Sequence, residues 1–555
     1  MIKMNKRKLF ILAGVFFLTV ANVSAGDNEK GIEYFRAELY DAAKIFFLQQ
    51  TNQSAAEQAQ NYYYLGQTYY RLNQADSASY CYQKSVEILP EYPFGYIGQG
   101  KMELQKGNTK AAEDLFKKAS NFGKKDPSVQ TAIAEAYVTI DDLTNANIAL
   151  DKARKINTKY SGIYVVEGDI LMKQGKVGEA CGRYDNAILF DNTDKVAYLK
   201  IAQVYKDINT AESLKYLDKL VTLDPNYIPA YALIGDINRE ERRYRAALDA
   251  YEKFIAVPGV PLLQHERYAQ LLFFTEQYSK ALNHIQYVLT KDPNNLVMKR
   301  LEAYNSYRLE NYDVGFAQMN QFLKDMPKEK HIFQDYLYLG QLAVKEKQSK
   351  VAFDAFKKAI ELDSTHVELY KEIAAAASKL GLYPEAITCY EKYLALDPEA
   401  NTMDYFSYGQ ANYSAAAYYV TNTDSVMDEV AFKNYVKKGD AAFAEVAKRK
   451  PELYNGYLWR ANINALLDKY EGDKTGGKVP GYAKPFFEEA LKVMLSNNAD
   501  GARNKDIINA YRYLLSYYGA NNDNPNVIDY CKRILQIDPN DEQAQKTLKI
   551  LKVKL

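Results

Sequence analysis

The sequence predicts an all-α protein: a right-handed solenoid of about fourteen antiparallel helix pairs, closed by a C-terminal capping helix. Two observations lead there. A pattern of small and large residues recurs about every 34 residues, the mark of stacked repeats rather than of one growing core. Helix-ending Leu-Asp-Pro signals stand near Pro225, Pro398 and Pro539, with related endings near Pro90, Pro293 and Pro327. The length points the same way, because 555 residues exceed what a single hydrophobic core usually serves.

The clearest unit runs from Ala59 to Tyr92. Tyr62, Leu65, Gly66, Tyr69, Ala78, Tyr82 and Pro90 occupy positions 4, 7, 8, 11, 20, 24 and 32 of it. The unit from Phe333 to His366 repeats the register with Tyr336, Leu339, Gly340, Ala343, Ala352, Phe356 and Ala359, Ser364 replacing the proline. The unit from Val367 to Ala400 follows with Tyr370, Ile373, Ala374, Ala377, Ala386, Tyr390 and Pro398. Two helices approach closely only where small residues lie at their crossing, so Gly66 is expected to face Ala78. Large residues such as Tyr69 and Tyr82 then fill the angle to the next helix, so the core is shared between neighbours. A proline after the second helix offers no amide donor and disfavours helix just before it, which fixes where a pair stops.

This pattern resembles the tetratricopeptide repeat family, in the form of an exported bacterial array. The same register places small residues at Gly31 and Ala43, Gly100 and Ala112, Ala134 and Ala146, Gly168 and Ala180, Gly235 and Ala247, and Ala269 and Ala281. The pairs containing Ala202 and Ala303 fit less well, giving about eleven regular pairs over residues 26–400. Residues 401–541 read as three irregular pairs, interrupted by insertions around Thr421 to Asp428 and Glu471 to Gly481. Residues 542–555 form the cap, whose polar face carries Lys546, Lys549, Lys552 and Lys554.

Residues 1–25 have the layout of a secretory signal peptide: Lys3, Lys6, Arg7 and Lys8, then an apolar stretch from Leu9 to Val20, with cleavage expected after Ala25. Export to the periplasm follows as an expectation, with the cell surface, or anchoring by an uncleaved signal, as alternatives. Removing the leader leaves 67 basic against 70 acidic side chains, interleaved along the chain. Nucleic-acid binding needs a clustered basic excess, so that partner class is excluded. No membrane span is expected after the leader.

Catalytic, cofactor and metal sites are not expected. Gly472 to Lys478 has the spacing of a phosphate-binding loop, but Val479 and Pro480 follow where a Ser or Thr and a helix are needed. His265, His284, His331 and His366 lack a second ligand at metal-site spacing. Cys81, Cys181, Cys389 and Cys531 lie several repeats apart and are expected as unpaired thiols in second helices.

The expected function is therefore a non-enzymatic protein-binding scaffold of the cell envelope, with a glycan- or small-molecule-binding protein as the alternative. The family resemblance implies that positions 2, 5, 9, 12 and 13 face a concave groove. In the second pair these are Gln60, Tyr63, Gln67, Tyr70 and Arg71; in the ninth they are Val297, Arg300, Tyr304, Tyr307 and Arg308. Tyr and Arg are frequent interface anchors, which selects Tyr63, Gln67, Tyr70, Arg71, Arg300, Tyr304, Tyr307 and Arg308 as candidate contacts for a protein or peptide. Some family members grip a terminal carboxylate with Lys at position 5 and Asn at position 9. Lys371 holds position 5 of its pair, but Ala375 stands at position 9.

Overall fold

The computed structural model describes residues 28–50, 53–421, 428–496 and 501–553. The leader and most of the Thr421 to Asp428 insertion lie outside them. Among the described residues every α-helix pairs with its neighbour in sequence except the last, and no strand occurs. Contacts divide the chain into two compact units, Met1–Met298 and Lys299–Leu555.

In the first unit, α1 (Glu29–Arg36) pairs with α2 (Tyr40–Gln49), α3 (Ala55–Arg71) with α4 (Ala75–Ile88), and α5 (Pro93–Gln105) with α6 (Thr109–Phe122). There follow α7 (Pro127–Val138) with α8 (Leu143–Ile156), α9 (Ser161–Lys173) with α10 (Val177–Phe190), and α11 (Lys195–Lys206) with α12 (Thr210–Leu223). The last two pairs are α13 (Ile228–Glu240) with α14 (Tyr244–Tyr251), and α15 (Leu262–Phe274) with α16 (Tyr278–Lys291).

The division between the units falls within α17 (Leu296–Arg308), which pairs with α18 (Tyr312–Asp325). The second unit continues with α19 (Phe333–Lys345) and α20 (Ser349–Leu362), then α21 (Glu368–Lys379) and α22 (Tyr383–Leu396). Longer pairs follow: α23 (Thr402–Thr421) with α24 (Glu429–Arg449), and α25 (Asn455–Lys474) with α26 (Lys484–Ser496). The final pair, α27 (Asn504–Ala520) with α28 (Asn524–Ile537), is closed by α29 (Glu542–Ile550).

The glycines also make room for an aromatic ring. A Cβ on Gly66 would lie 2.5 Å from the Tyr82 ring, so the aromatic of position 24 comes closest to position 8. The same ring also blocks a Cβ on Gly98 of the next pair, so Tyr82 is wedged between two successive first helices and fully buried. Gly168 with Tyr184, Gly340 with Phe356 and Gly409 with Phe443 repeat the arrangement. Each such ring contributes on the order of 1.5–3 kcal/mol by burial, and its flat face needs the space that an absent Cβ leaves.

Within most pairs, one turn residue adopts the left-handed conformation that ends a helix, as at Asn73 (φ 58°), Gly107 (φ 79°) and Lys347 (φ 58°). Between pairs, an aspartate closes the turn. Asp191, Asp224, Asp363, Asp397 and Asp538 each accept a hydrogen bond from the backbone amide two residues on, at 2.9–3.0 Å. Proline is therefore dispensable at Ser364, because the Asp363 carboxylate already fixes the turn.

The seventh pair departs from the regular pattern expected up to residue 400: α14 stops at Tyr251, and residues 252–261 run as turns before α15. Gly259, at φ +84°, sits so close to α2 that a Cβ would lie 2.8 Å from the Ala42 amide nitrogen.

Candidate binding surface

In the first unit the first helices touch in sequence: α1 with α3, α3 with α5, α5 with α7, α7 with α9, α9 with α11, α11 with α13. The series then closes, because α13 touches α1. Lys195 seals the junction, lying 2.5 Å from Asp224 and 3.4 Å from Glu33, a residue 162 positions earlier. Burial raises the Glu33 pKa, opposed by Lys195. Seven axes spaced about 9–10 Å apart make a ring roughly 21 Å across at the axes, leaving an opening of roughly 10 Å once helix thickness is subtracted.

Position 9 of successive first helices lines this ring. Gln67 accepts a hydrogen bond from Lys101 Nζ at 2.9 Å, and that ammonium lies 3.7 Å from the centre of the Tyr70 ring. Lys101 is 8% exposed, and burial, assisted by Arg71, pulls its pKa down to about 8. Asp169 accepts from the Tyr184 hydroxyl at 2.7 Å and pairs with Lys200 at 3.0 Å. Between these lies Glu135, which is exposed to water. Its carboxyl pKa is nevertheless raised, first by desolvation and then by Asp169, against the pull of Lys200, Lys101 and Arg36. The charges acting on it come from α1, α5, α9 and α11. One first helix further on, a cavity of about 370 Å³ is lined by the apolar Met172, Val177, Val204 and Ile208 together with Asp169, Tyr184, Lys200, Gln203 and Asp207.

Of the expected contacts in this unit, Gln67, Tyr70 and Arg71 reach the inner face, with Arg71 exposed. Tyr63 does not: it is 7% exposed and packed among Tyr82, Tyr92 and Phe94. Lys101 and Glu135 are not marked by the Tyr and Arg content of any single repeat. The signal lay across repeats, in the row Gln67, Lys101, Glu135, Asp169 at one register position.

In the second unit, the structure gathers the four expected residues around the next pair. Arg300 grips the fully buried carboxylate of Asp335 with Nε at 2.9 Å and Nη2 at 3.0 Å. Tyr304 donates to the same carboxylate at 2.5 Å and stacks on Tyr338 at 4.1 Å between ring centres. Arg308 Nε donates to the Tyr338 hydroxyl at 3.2 Å, and Tyr307 meets that ring edge-on. Tyr304 is 8% exposed, its pKa raised by burial and then by Asp335. These side chains hold α17 to α19, so the groove-facing position expected for Arg300 and Tyr304 is taken up by intramolecular contacts.

The same position 5 repeats the device. Lys371 pairs with Asp404 at 2.8 Å, and Arg512 with Asp541 at 2.6 Å. Burial would raise the Asp404 pKa, yet the Lys371 and Asn401 hydrogen bonds hold it below the usual carboxylate range. A cation that the family can use for a partner's terminus is here bound to a carboxylate of the chain itself.

The Gly472 to Lys478 string spans the end of α25 and the loop beyond it. The amides that follow, of Gly481, Tyr482 and Ala483, donate to the buried Asp468 carboxylate at 2.7–2.8 Å, and Tyr513 donates at 2.5 Å. This anion-binding turn is filled by the protein's own carboxylate. Among the described residues no group of three or more His, Cys, Asp or Glu could hold a metal ion. The four cysteines are free thiols in α4, α10, α22 and α28, and burial pushes Cys81 up to about 12. His265 and His284 meet through their Nδ1 atoms at 3.1 Å, with ring centres 5.3 Å apart. That separation sets the two nitrogens nearly end to end, the geometry of a shared proton rather than of two ligands bent around an ion.

A family model described as tetratricopeptide repeat matches residues 367–399, the span of α21 and α22. That span carries the tetratricopeptide repeat, and the helix pairs on either side of it are built in the same manner. The chain is similar to the DnaJ protein P58IPK homolog B of Oryza sativa subsp. japonica, 26% identical over 238 residues, covering 38% of this chain and 49% of that protein. The DnaJ protein P58IPK homolog of Arabidopsis thaliana is 22% identical over 308 residues, covering 53% and 56%. The array thus spans about half the length of these curated relatives. Among solved structures, the C-terminal part of a TPR repeat-containing protein from Cytophaga hutchinsonii shares 26% identity. It covers 51% of this chain and 99% of that one at a TM-score of 0.36. Tetratricopeptide-repeat proteins generally act as protein-interaction scaffolds rather than as catalysts.

Proposed function

We propose that the array is a non-enzymatic scaffold of the cell envelope that binds a partner protein or peptide along the inner face of its first helices. The observation that carries this reading is the closed ring of the first unit, whose position-9 row keeps water-facing polar groups at Glu135 and Gln203. Elsewhere, position-5 cations and buried carboxylates are spent on holding pair to pair. Rigid helices displaying a few unengaged polar groups around an opening suit recognition, because little conformational entropy is lost on binding.

A photoreactive residue at Gln203 in intact cells should yield a discrete crosslinked protein, and one at the outward, exposed Lys110 should not. Equal crosslinking from both positions, or none from Gln203, would remove the inner face as the binding surface. The envelope location rests on the leader. Residues 1–40 fused to a reporter active only outside the cytoplasm should switch it on, and a silent fusion would refute export.

A further inference from the structure

We propose that the ring of the first unit receives an extended segment of the partner, which seats a large apolar side chain between the fifth and sixth pairs and a lysine or arginine against Glu135. This rests on the scaffold reading and names the chemistry of its ligand.

Size is the first argument. An opening of roughly 10 Å is wide enough for one extended chain, whereas a helix, about 10–12 Å across with its side chains, would have little clearance. The second argument is the cavity. Its volume of about 370 Å³ lies within the range of ligand pockets, roughly 300–1,000 Å³, and Met172, Val177, Val204 and Ile208 give its surface a mainly apolar character, with polar groups of Gln203 and Asp207 also present. The third is charge. Lys101 is engaged by Gln67 and Tyr70, and Lys200 by Asp169, whereas no cation of the described residues lies within ion-pair distance of Glu135. A basic side chain delivered there would find a carboxylate that no lysine or arginine of the described residues already holds.

Spacing links the two sites. Glu135 and Asp169 hold the same register position on adjacent helices, whose axes are typically about 8–10 Å apart. An extended chain rises about 3.3 Å per residue, so the apolar and basic side chains should be two or three residues apart.

The test is selection from a displayed library of random short peptides on the full chain. Wild type should enrich an apolar residue two or three positions from Lys or Arg. Glu135→Gln should erase the basic preference, and Glu135→Lys should replace it with Asp or Glu. Val204→Trp, which fills the cavity, should erase the apolar preference. Synthetic peptides carrying the selected motif should lose about tenfold in affinity against Glu135→Gln, roughly what one charged contact supplies. Acidic or unpatterned wild-type selections, or pools unchanged by these substitutions, would overturn the proposal while leaving the scaffold reading standing. Glu135 is exposed, so its variants should melt as wild type does, and a failure to select is then not a failure to fold. Enrichment of no peptide at all would count against both.

Discussion

Asp335 is fully buried, and Arg300, Tyr304 and the Ile332 amide converge on its carboxylate. Asp335→Asn should therefore cost about 3 kcal/mol in denaturant unfolding, since a buried ion pair that loses one partner strands the other. A loss below about 0.5 kcal/mol, the range of exposed pairs, would show the network to be incidental. The His265 and His284 pair makes a pH prediction. Burial, then His284, pushes His265 down to about 4, and burial lowers His284 as well. An unfolded histidine titrates near ~6.5, so below that the unfolded chain binds more protons than the folded one. The pair's contribution is thus complete above ~6.5 and is lost progressively as pH falls towards 4. Melting temperature against pH should drop less steeply in this window for His265→Gln with His284→Gln than for wild type; parallel curves would exclude the pair as a source of acid sensitivity.

In the pairs that carry glycine at position 8, one flat aromatic lies across it, and the Cβ positions give this a number to test. Even the smallest side chain at Gly340 would collide with the Phe356 ring. Gly340→Ala should destabilise by ~1–3 kcal/mol despite alanine's better helix propensity, because overpacking outweighs the roughly 1 kcal/mol that propensity returns. Unchanged or raised stability would mean that Phe356 can swing aside. At this scale the sequence was highly informative: Gly66, Gly340 and the aromatic spacing located the pairs, because small and large residues recur wherever helices cross. The partner of each glycine was less legible. Spacing suggested Ala78, and the structure adds the ring of Tyr82 against the same glycine, because a linear pattern does not say which large inward residue turns towards the crossing. Likewise the proline signal marked pair ends, while the physical agent shared by Asp191, Asp363 and Asp538 is a carboxylate accepting from the backbone.

Ring closure is a property of the whole first unit. It rests on a few contacts between segments far apart in sequence: α1 with α13, Lys195 with Glu33, and Gly259 against the backbone at Asp41 and Ala42. Gly259→Val places a side chain where both the left-handed φ and the space forbid it. Hydrogen exchange should then quicken over residues 29–49 and leave α5 to α8 protected, since stacked repeats lose structure locally. Uniform exchange across the unit, or none beyond wild type, would contradict a closure made by this contact. The sequence by itself determined the helices, their pairing and the resemblance to tetratricopeptide repeats, because each depends on residues fewer than about 34 positions apart whose sizes repeat. It also brought forward Tyr and Arg as candidate contacts, from composition at single repeats. Only the tertiary structure decided that Tyr63, Arg300 and Tyr304 are held within the protein and that Glu135, with no ion-pair partner among the described residues, stands one helix away from a cavity. The small rotation between successive pairs is invisible in any one repeat, but summed over seven of them it brings α13 back to α1 and sets which side chains meet.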